Sequence, residues 1–166
     1  MPDTDLFRPL DPMAALGRLP SGVYVLTASS PDSARSTGML ASWVQQAGFQ
    51  PPMITVAIGK DRFVLDWIRT TGRFALNQVA AGRKDLVKHF GKGFNPDESA
   101  FDGLEKVSEQ PIVLADALAF LEVETRGEVL SGDHAILLCE VVGGGVRSGG
   151  NEGEPMIHIR RSGSNY

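Results

Sequence analysis

What most restricts this chain is its punctuation. Short runs of β-forming residues are cut off by glycine and proline. The helical stretches between them are too brief and too unevenly placed to build repeated strand–helix–strand units. Gly22-Val-Tyr-Val-Leu-Thr-Ala28, Met53-Ile-Thr-Val-Ala-Ile58, Phe74-Ala-Leu-Asn-Gln-Val79, Phe120-Leu-Glu-Val-Glu-Thr-Arg126, the apolar run 134–142 and Met156-Ile-His-Ile-Arg160 read as strands. The polar stretch 29–37 reads as a hairpin-like connection. Residues 38–46 form a further extended segment, closed by Pro51-Pro52. Four short helices are predicted. One covers 13–18 behind Asp11-Pro12, and a second covers 62–70, capped by Asp61 and ended by Gly72. A third covers 84–90 and stops at Gly91 and Gly93, and a fourth starts at Asn95-Pro96-Asp97 and ends before Gly103. Gly127 to Asp133 is mixed in character, and Gly143-Gly-Gly145 reads as flexible punctuation. The pattern predicts a mainly β protein: an antiparallel barrel with short helical insertions, whose closure removes exposed sheet edges.

The 166 residues suit one domain over 11–166, preceded by a loose arm over 1–10. A net charge of -4 argues against a broad nucleic-acid surface while leaving room for a local basic pocket. The single cysteine, Cys139, lies in an apolar run and is expected to be a buried, inert thiol. It has no partner for an intramolecular disulfide and cannot make a cysteine-based zinc site. No signal-peptide pattern opens the sequence, and no apolar stretch approaches the roughly 20 residues of a membrane span. The expected compartment is therefore the reducing cytoplasm, with no membrane partner. Neither a dinucleotide fingerprint nor a P-loop, HExxH or GxSxG motif is present, so patterning excludes several chemistries and names none.

The segment Gly38-Met-Leu-Ala-Ser-Trp-Val-Gln-Gln-Ala-Gly-Phe-Gln-Pro-Pro52, followed by an apolar strand, changes this. It resembles the flavin reductase-like FMN-binding split-barrel family, in which a Gly-Met-x-x-(Asn/Ser) strand precedes polar residues, a Pro-Pro pair and an apolar strand. Leu19-Pro-Ser-Gly-Val-Tyr-Val-Leu-Thr-Ala28 looks like that family's first strand, and Gly132-Asp-His134 resembles its Gly-Asp-His signature. The ending Ile157-His-Ile-Arg-Arg-Ser-Gly-Ser-Asn-Tyr166 is similar to the C-terminal flavin reductase module of flavodiiron proteins. No di-iron or flavodoxin-like domain precedes the match, which implies a free-standing version. Ser42, Gln45 and Gln46 stand where many members carry Asn, Thr and Ser, so the resemblance leaves open whether reduced flavin is released or kept.

The resemblance implies an FMN-binding split β-barrel, antiparallel and Greek-key-like, working as an NAD(P)H:flavin oxidoreductase. FMN is the expected flavin, with FAD as the alternative, and NADH or NADPH the donor. Electrons would pass to free flavin, oxygen or a protein acceptor, and a homodimer is expected. Two rival readings are a flavoredoxin-like electron carrier that oxidises NAD(P)H poorly and a non-enzymatic flavin- or haem-binding module on the same barrel. Met39, Leu40, Ala41, Ser42 and Trp43 suit a backbone that approaches an isoalloxazine ring. Lys60 and Arg62, at a strand end and a helix start, suit a phosphate, which Gln45 and Gln46 could also reach. Phe90 would border the flavin, and His134 would meet the nicotinamide or the charge of reduced flavin. The alternative for His134 is a strand-start histidine bonded to Asp133 or to backbone, although strand neighbours face opposite sides, so Asp133 need not touch the ring. No metal site is expected.

Overall fold

A computed structural model describes residues 12–148 and 153–164. The expected arm over 1–10 and the cap at Asp11 lie outside the described residues. Within them the chain forms α1 (Pro12–Gly17), β1 (Ser21–Gly22), β2 (Tyr24–Ser29), β3 (Ser36–Ala41), β4 (Val44–Phe49), β5 (Pro52–Gly59), α2 (Phe63–Thr71) and β6 (Arg73–Gln78). It continues through α3 (Lys84–Gly91), β7 (Lys106–Glu109), β8 (Ile112–Leu114), β9 (Ala119–Ser131), β10 (His134–Val146) and β11 (Ile157–His158).

Seven strands make one antiparallel sheet in the order β3-β2-β6-β9-β10-β5-β4. Its two edge strands, β3 and β4, are consecutive in the chain and joined only by Ser42-Trp43. A two-residue link cannot cross a flat seven-stranded sheet, whose strands lie about 4.8 Å apart, so the sheet must curl until its edges meet. That covalent closure makes the barrel. The extended segment expected over 38–46 is therefore two strands that part at Ser42-Trp43, where the ladder changes partners.

Alternation along β5 puts Ile54, Val56 and Ile58 inside, where they pack with Leu26, Leu65, Ile68, Leu76, Val123 and Leu137. α2 plugs one end with Val64, Leu65 and Ile68, and Gly72 ends it in the left-handed conformation that its missing side chain permits (φ 70°). A second core lies under α3, where Leu86 and Phe90 meet Val25, Val79, Phe101, Ile112 and Leu114. Gly38 stands at the boundary. A Cβ there would lie 2.6 Å from Phe90 Cε1, so β3 and α3 approach this closely only over glycine.

Several local expectations are corrected. Residues 95–103 form turns rather than a helix. Asp97 is drawn to Arg35 at 2.6 Å, Ser99 bonds Asp102, and Phe101 sinks into the second core, so side chains take the contacts a helix would need. β7 and β8 form an unexpected hairpin. All of β8 is buried, and Asn77 holds it: its side-chain oxygen accepts the Leu114 N–H at 2.9 Å. The mixed segment around Gly127 continues β9, with Arg126 as the extra residue of a bulge between Thr125 and Gly127. Gly143 to Gly145 are not loose punctuation but ladder residues, paired with Glu122, Leu121 and Phe120. Asp61 does not cap α2. Arg62 takes that position without a side-chain cap.

Candidate functional site

Sheet register determines which distant residues meet. β10 pairs with β5 so that His134 stands opposite Gly59, and the Lys60 N–H donates to Asp133 O at 2.9 Å. The Lys60 ammonium reaches back to Gly132 O. The turn before β10 and the turn after β5 are thus fastened together. Beside them, α3 brings Phe90 and Gly91 across from Met39 and Leu40 on β3. The result is a cleft of about 510 Å³ lined by Met39, Leu40, Lys60, Arg62, Phe90 and His134, with Ala57, Gly59, Asp61, Gly91 and Asp133. Six of the expected site residues come together here from four separate segments. Phe90 is mostly core, only 1% exposed, and gives the cleft its floor.

The remaining expected residues separate. Ser42, Trp43 and Gln45 line an adjoining cavity of about 470 Å³ with Leu16, Leu19 and Arg160, and the two spaces share Ala57. Ala41 faces the core at 3% exposure and could offer a ligand only its backbone. Gln46 is exposed on β4 and directs its amide to Gly48 O at 3.5 Å. Neither glutamine lines the cleft with Lys60 and Arg62, because the chain reaches them after turning through Ser42-Trp43 onto the other edge strand. His89, next to Phe90, is engaged with Ala100 O at 2.8 Å.

His134 is held on two sides. Its Nδ1 lies 2.7 Å from Asp133 Oδ1, the bond the sequence left open, which forms because Asp133 belongs to the turn and not to the strand, so the opposite-face rule does not apply. The hydrogen bond from His134, and then its charge, hold the Asp133 carboxyl below its ordinary range. An ionised carboxylate only accepts, so Nδ1 carries the shared proton and Nε2 is the acceptor in the neutral ring. On its other side, the imidazole ring centroid lies 4.7 Å from that of Trp43, with the planes tilted by 44°. The Arg160 guanidinium lies 4.9 Å from the Trp43 ring centroid. From the sequence, Arg160 and Arg161 are candidates only for a dimer or flavin contact; an arginine two residues after a short strand carries no local signal of an indole 117 positions earlier.

Ser42 Oγ is a buried hydroxyl without a hydrogen-bond partner, on a residue 6% exposed. Leaving such a group unpaired costs on the order of 1–3 kcal/mol, so it marks a place where a polar ligand atom fits. An apolar wall, two cations, a spare buried hydroxyl and an oriented histidine form a donor set that fits a flavin nucleotide. Among the described residues, no cluster of His, Cys, Asp or Glu is arranged to hold a metal ion, and no helix is long and apolar enough to cross a membrane.

A family model described as a flavin reductase like domain matches residues 16–165. The chain belongs to that family. Among curated relatives of this flavin reductase-like domain is diflavin flavoprotein A 1 of Synechocystis, 38% identical over 92% of this chain. Another is a putative diflavin flavoprotein A 6 of Nostoc, also 38% identical over 92% of the chain. The chain spans about a quarter of the length of these relatives, 26% of each. Among solved structures, the NADH:FAD oxidoreductase SgcE6 of Streptomyces globisporus superposes with a TM-score of 0.78 at 26% identity, covering 87% of this chain and 85% of that one. A second structure of SgcE6, in complex with NAD and FAD fragments, gives 0.75. A putative flavin reductase of Haemophilus somnus shares the fold, with a TM-score of 0.77 at 22% identity over 89% of this chain and 92% of that one.

Proposed function

We propose that this flavin reductase-like domain binds FMN in the cleft and transfers hydride from NADH or NADPH to it, passing electrons on to free flavin, oxygen or a protein acceptor. The observation that carries the reading is the convergence of Lys60, Arg62 and His134 on one cleft with the Met39–Leu40 wall. The SgcE6 complex with NAD and FAD fragments supports the pairing of flavin and nicotinamide on this fold. When bound, FMN supplies the capacity to accept two electrons together and release them singly or as a pair. The protein's part is binding, orientation and exclusion of water. Lys60 and Arg62 hold the phosphate, aided by the first backbone N–H groups of α2, which no side chain caps. Met39, Leu40 and Phe90 form the apolar side of the slot, and Ser42 Oγ, in the adjoining cavity beyond Ala57, serves the polar edge of a ring system that extends from the cleft into that cavity. His134, with Nδ1–H tied to Asp133, keeps Nε2 for the nicotinamide carboxamide.

The test is anaerobic addition of NADH, then NADPH, to FMN-reconstituted protein while visible flavin absorbance is recorded. Prompt bleaching is expected. Bound flavin that bleaches only with dithionite would replace this reading with the electron carrier. Failure to bind FMN at micromolar protein would overturn it.

A further inference from the structure

We infer that Trp43 is a positioning residue for His134 and that Arg160, from the far end of the chain, acts on the cleft through Trp43. The second half of this inference rests on the proposed flavin reductase reading; the coupling of the two rings does not.

Trp43 occupies the two-residue link that closes the barrel. Its carbonyl accepts the Ala57 N–H at 3.0 Å, so its backbone is pinned to β5. From there the indole reaches the imidazole of His134, at the partition between the cleft and the neighbouring cavity. His134 needs this support. The single hydrogen bond to Asp133 fixes one ring nitrogen but leaves the ring plane free to turn, and the Asp133 side chain is itself 93% exposed. Gly59, opposite His134 in the ladder, has no side chain to hold the ring. The indole supplies the missing second constraint. Polar and charged groups on all sides meet at this point: Asp133 on Nδ1, Lys60, Asp61 and Arg62 around the cleft, and Arg160 beyond the indole.

Arg160 is also placed by the fold. Its backbone N–H donates to Gly17 O at 2.9 Å, and Gly163 N–H donates to Met13 O, so the segment after β11 is laid along α1. A Cβ on Gly17 would come within 2.8 Å of the Ser162 backbone, so the docking depends on glycine. The guanidinium over the indole face is a cation–π contact that steadies the side chain on which the imidazole rests. The end of the chain is thereby mechanically joined to the residue that faces the donor. A small loss of alignment at such a residue lowers the rate of transfer without lowering affinity for the cofactor.

The first experiment needs no cofactor. A protonated imidazole in ring contact quenches indole emission. In Trp67→Phe protein, which leaves Trp43 as the sole tryptophan, emission should fall in one step on acidification, and His134→Asn should abolish the step. If Trp67→Phe fails to fold, the His134 ring-proton shifts of the unaltered protein, compared with Trp43→Phe, report the same contact by NMR. The second experiment uses FMN-loaded protein under anaerobic conditions with saturating NADH. Trp43→Ala should slow flavin reduction about ten-fold and alter the FMN dissociation constant less than about two-fold; Trp43→Phe should restore most of the rate, and Arg160→Gln should fall between. A quenching step that persists without His134, or a Trp43→Ala protein reduced at the parental rate, would overturn the inference. If NADH reduces not even the parent protein, the reductase reading fails, and the emission step alone decides whether Trp43 and His134 are coupled.

Discussion

Replacing Lys60 and Arg62 together with alanine should remove most of the affinity for FMN and little of the affinity for riboflavin, because the two ligands differ only in the phosphate. Both cations stand on the cleft wall, and the Arg62 side chain is 51% exposed, so neither works at the strength of a buried charge. An exposed, charge-assisted contact at about 1.5 kcal/mol gives about 3 kcal/mol for the pair, or a roughly 100-fold weaker FMN complex. Asp61 opposes them: its carboxylate, 4.0 Å from Arg62 and also on the cleft, repels the same phosphate, so Asp61→Asn should tighten FMN modestly. The double variant keeps the Lys60 backbone bond to Asp133 O, so the turn before His134 survives. Quenching of flavin fluorescence, titrated with FMN and with riboflavin at low and high salt, measures each effect. The FMN preference of the parent should shrink as salt rises, since about 10 Å of screening length at 0.1 M reaches these exposed groups. Equal weakening of FMN and riboflavin would refute the phosphate assignment.

His134→Ala should retain the bound-flavin spectrum and full reduction by dithionite while slowing reduction by NAD(P)H by roughly ten- to a hundred-fold; unchanged stopped-flow kinetics would assign the residue to structure. Asn77→Ala should lower stability by about 3 kcal/mol in urea unfolding, because this 1%-exposed amide bonds Val25 O, Ile112 O and the Leu114 N–H, and truncation removes the buried acceptor of the Leu114 N–H and one donor from each carbonyl, leaving Ile112 O with the Thr27 hydroxyl. Burial pushes the Cys139 thiol up to about 11, against a smaller opposing effect from Thr125, so at pH 8 a disulfide reagent should label it only on unfolding; rapid labelling of the native protein would contradict its 0% exposure. The chain should form a homodimer, since Phe49, Val129, Leu130, Leu138 and Val142 are exposed on the strands and a second copy is their simplest cover. A species of only 17.8 kDa by light scattering at micromolar concentration, with FMN present, would count against it.

Local chemistry determined much of this protein by itself. The β-branched run Met53-Ile-Thr-Val-Ala-Ile58, the glycine that ends α2 and the apolar run from His134 onward all sit where their own residues demand, because periodicity and backbone freedom act over a few positions. The Gly38–Pro52 string and Gly132-Asp-His134 were enough to point to the family and to Met39, Leu40 and His134 of the cleft, while Lys60 and Arg62 were legible from a strand end and a helix start. Other features were illegible because long-range contacts set them. Nothing near Ser42-Trp43 states that the flanking strands belong to opposite edges of one sheet; that follows only when seven strands close. Residues 95–103 carry a helix-start signal that Phe101 and Asp97 override through partners more than sixty positions away in one case and in a separate core in the other. Gln45 and Gln46, close in sequence to Met39 and Leu40, part from them for the same reason of closure. Arg160 reaches Trp43 only because the final segment docks on α1 through Gly17. Sequence supplied the donors and the strands; the register of β10 on β5 and the curl of the sheet decided which donors share a cleft, since those are properties of closure and not of any local window.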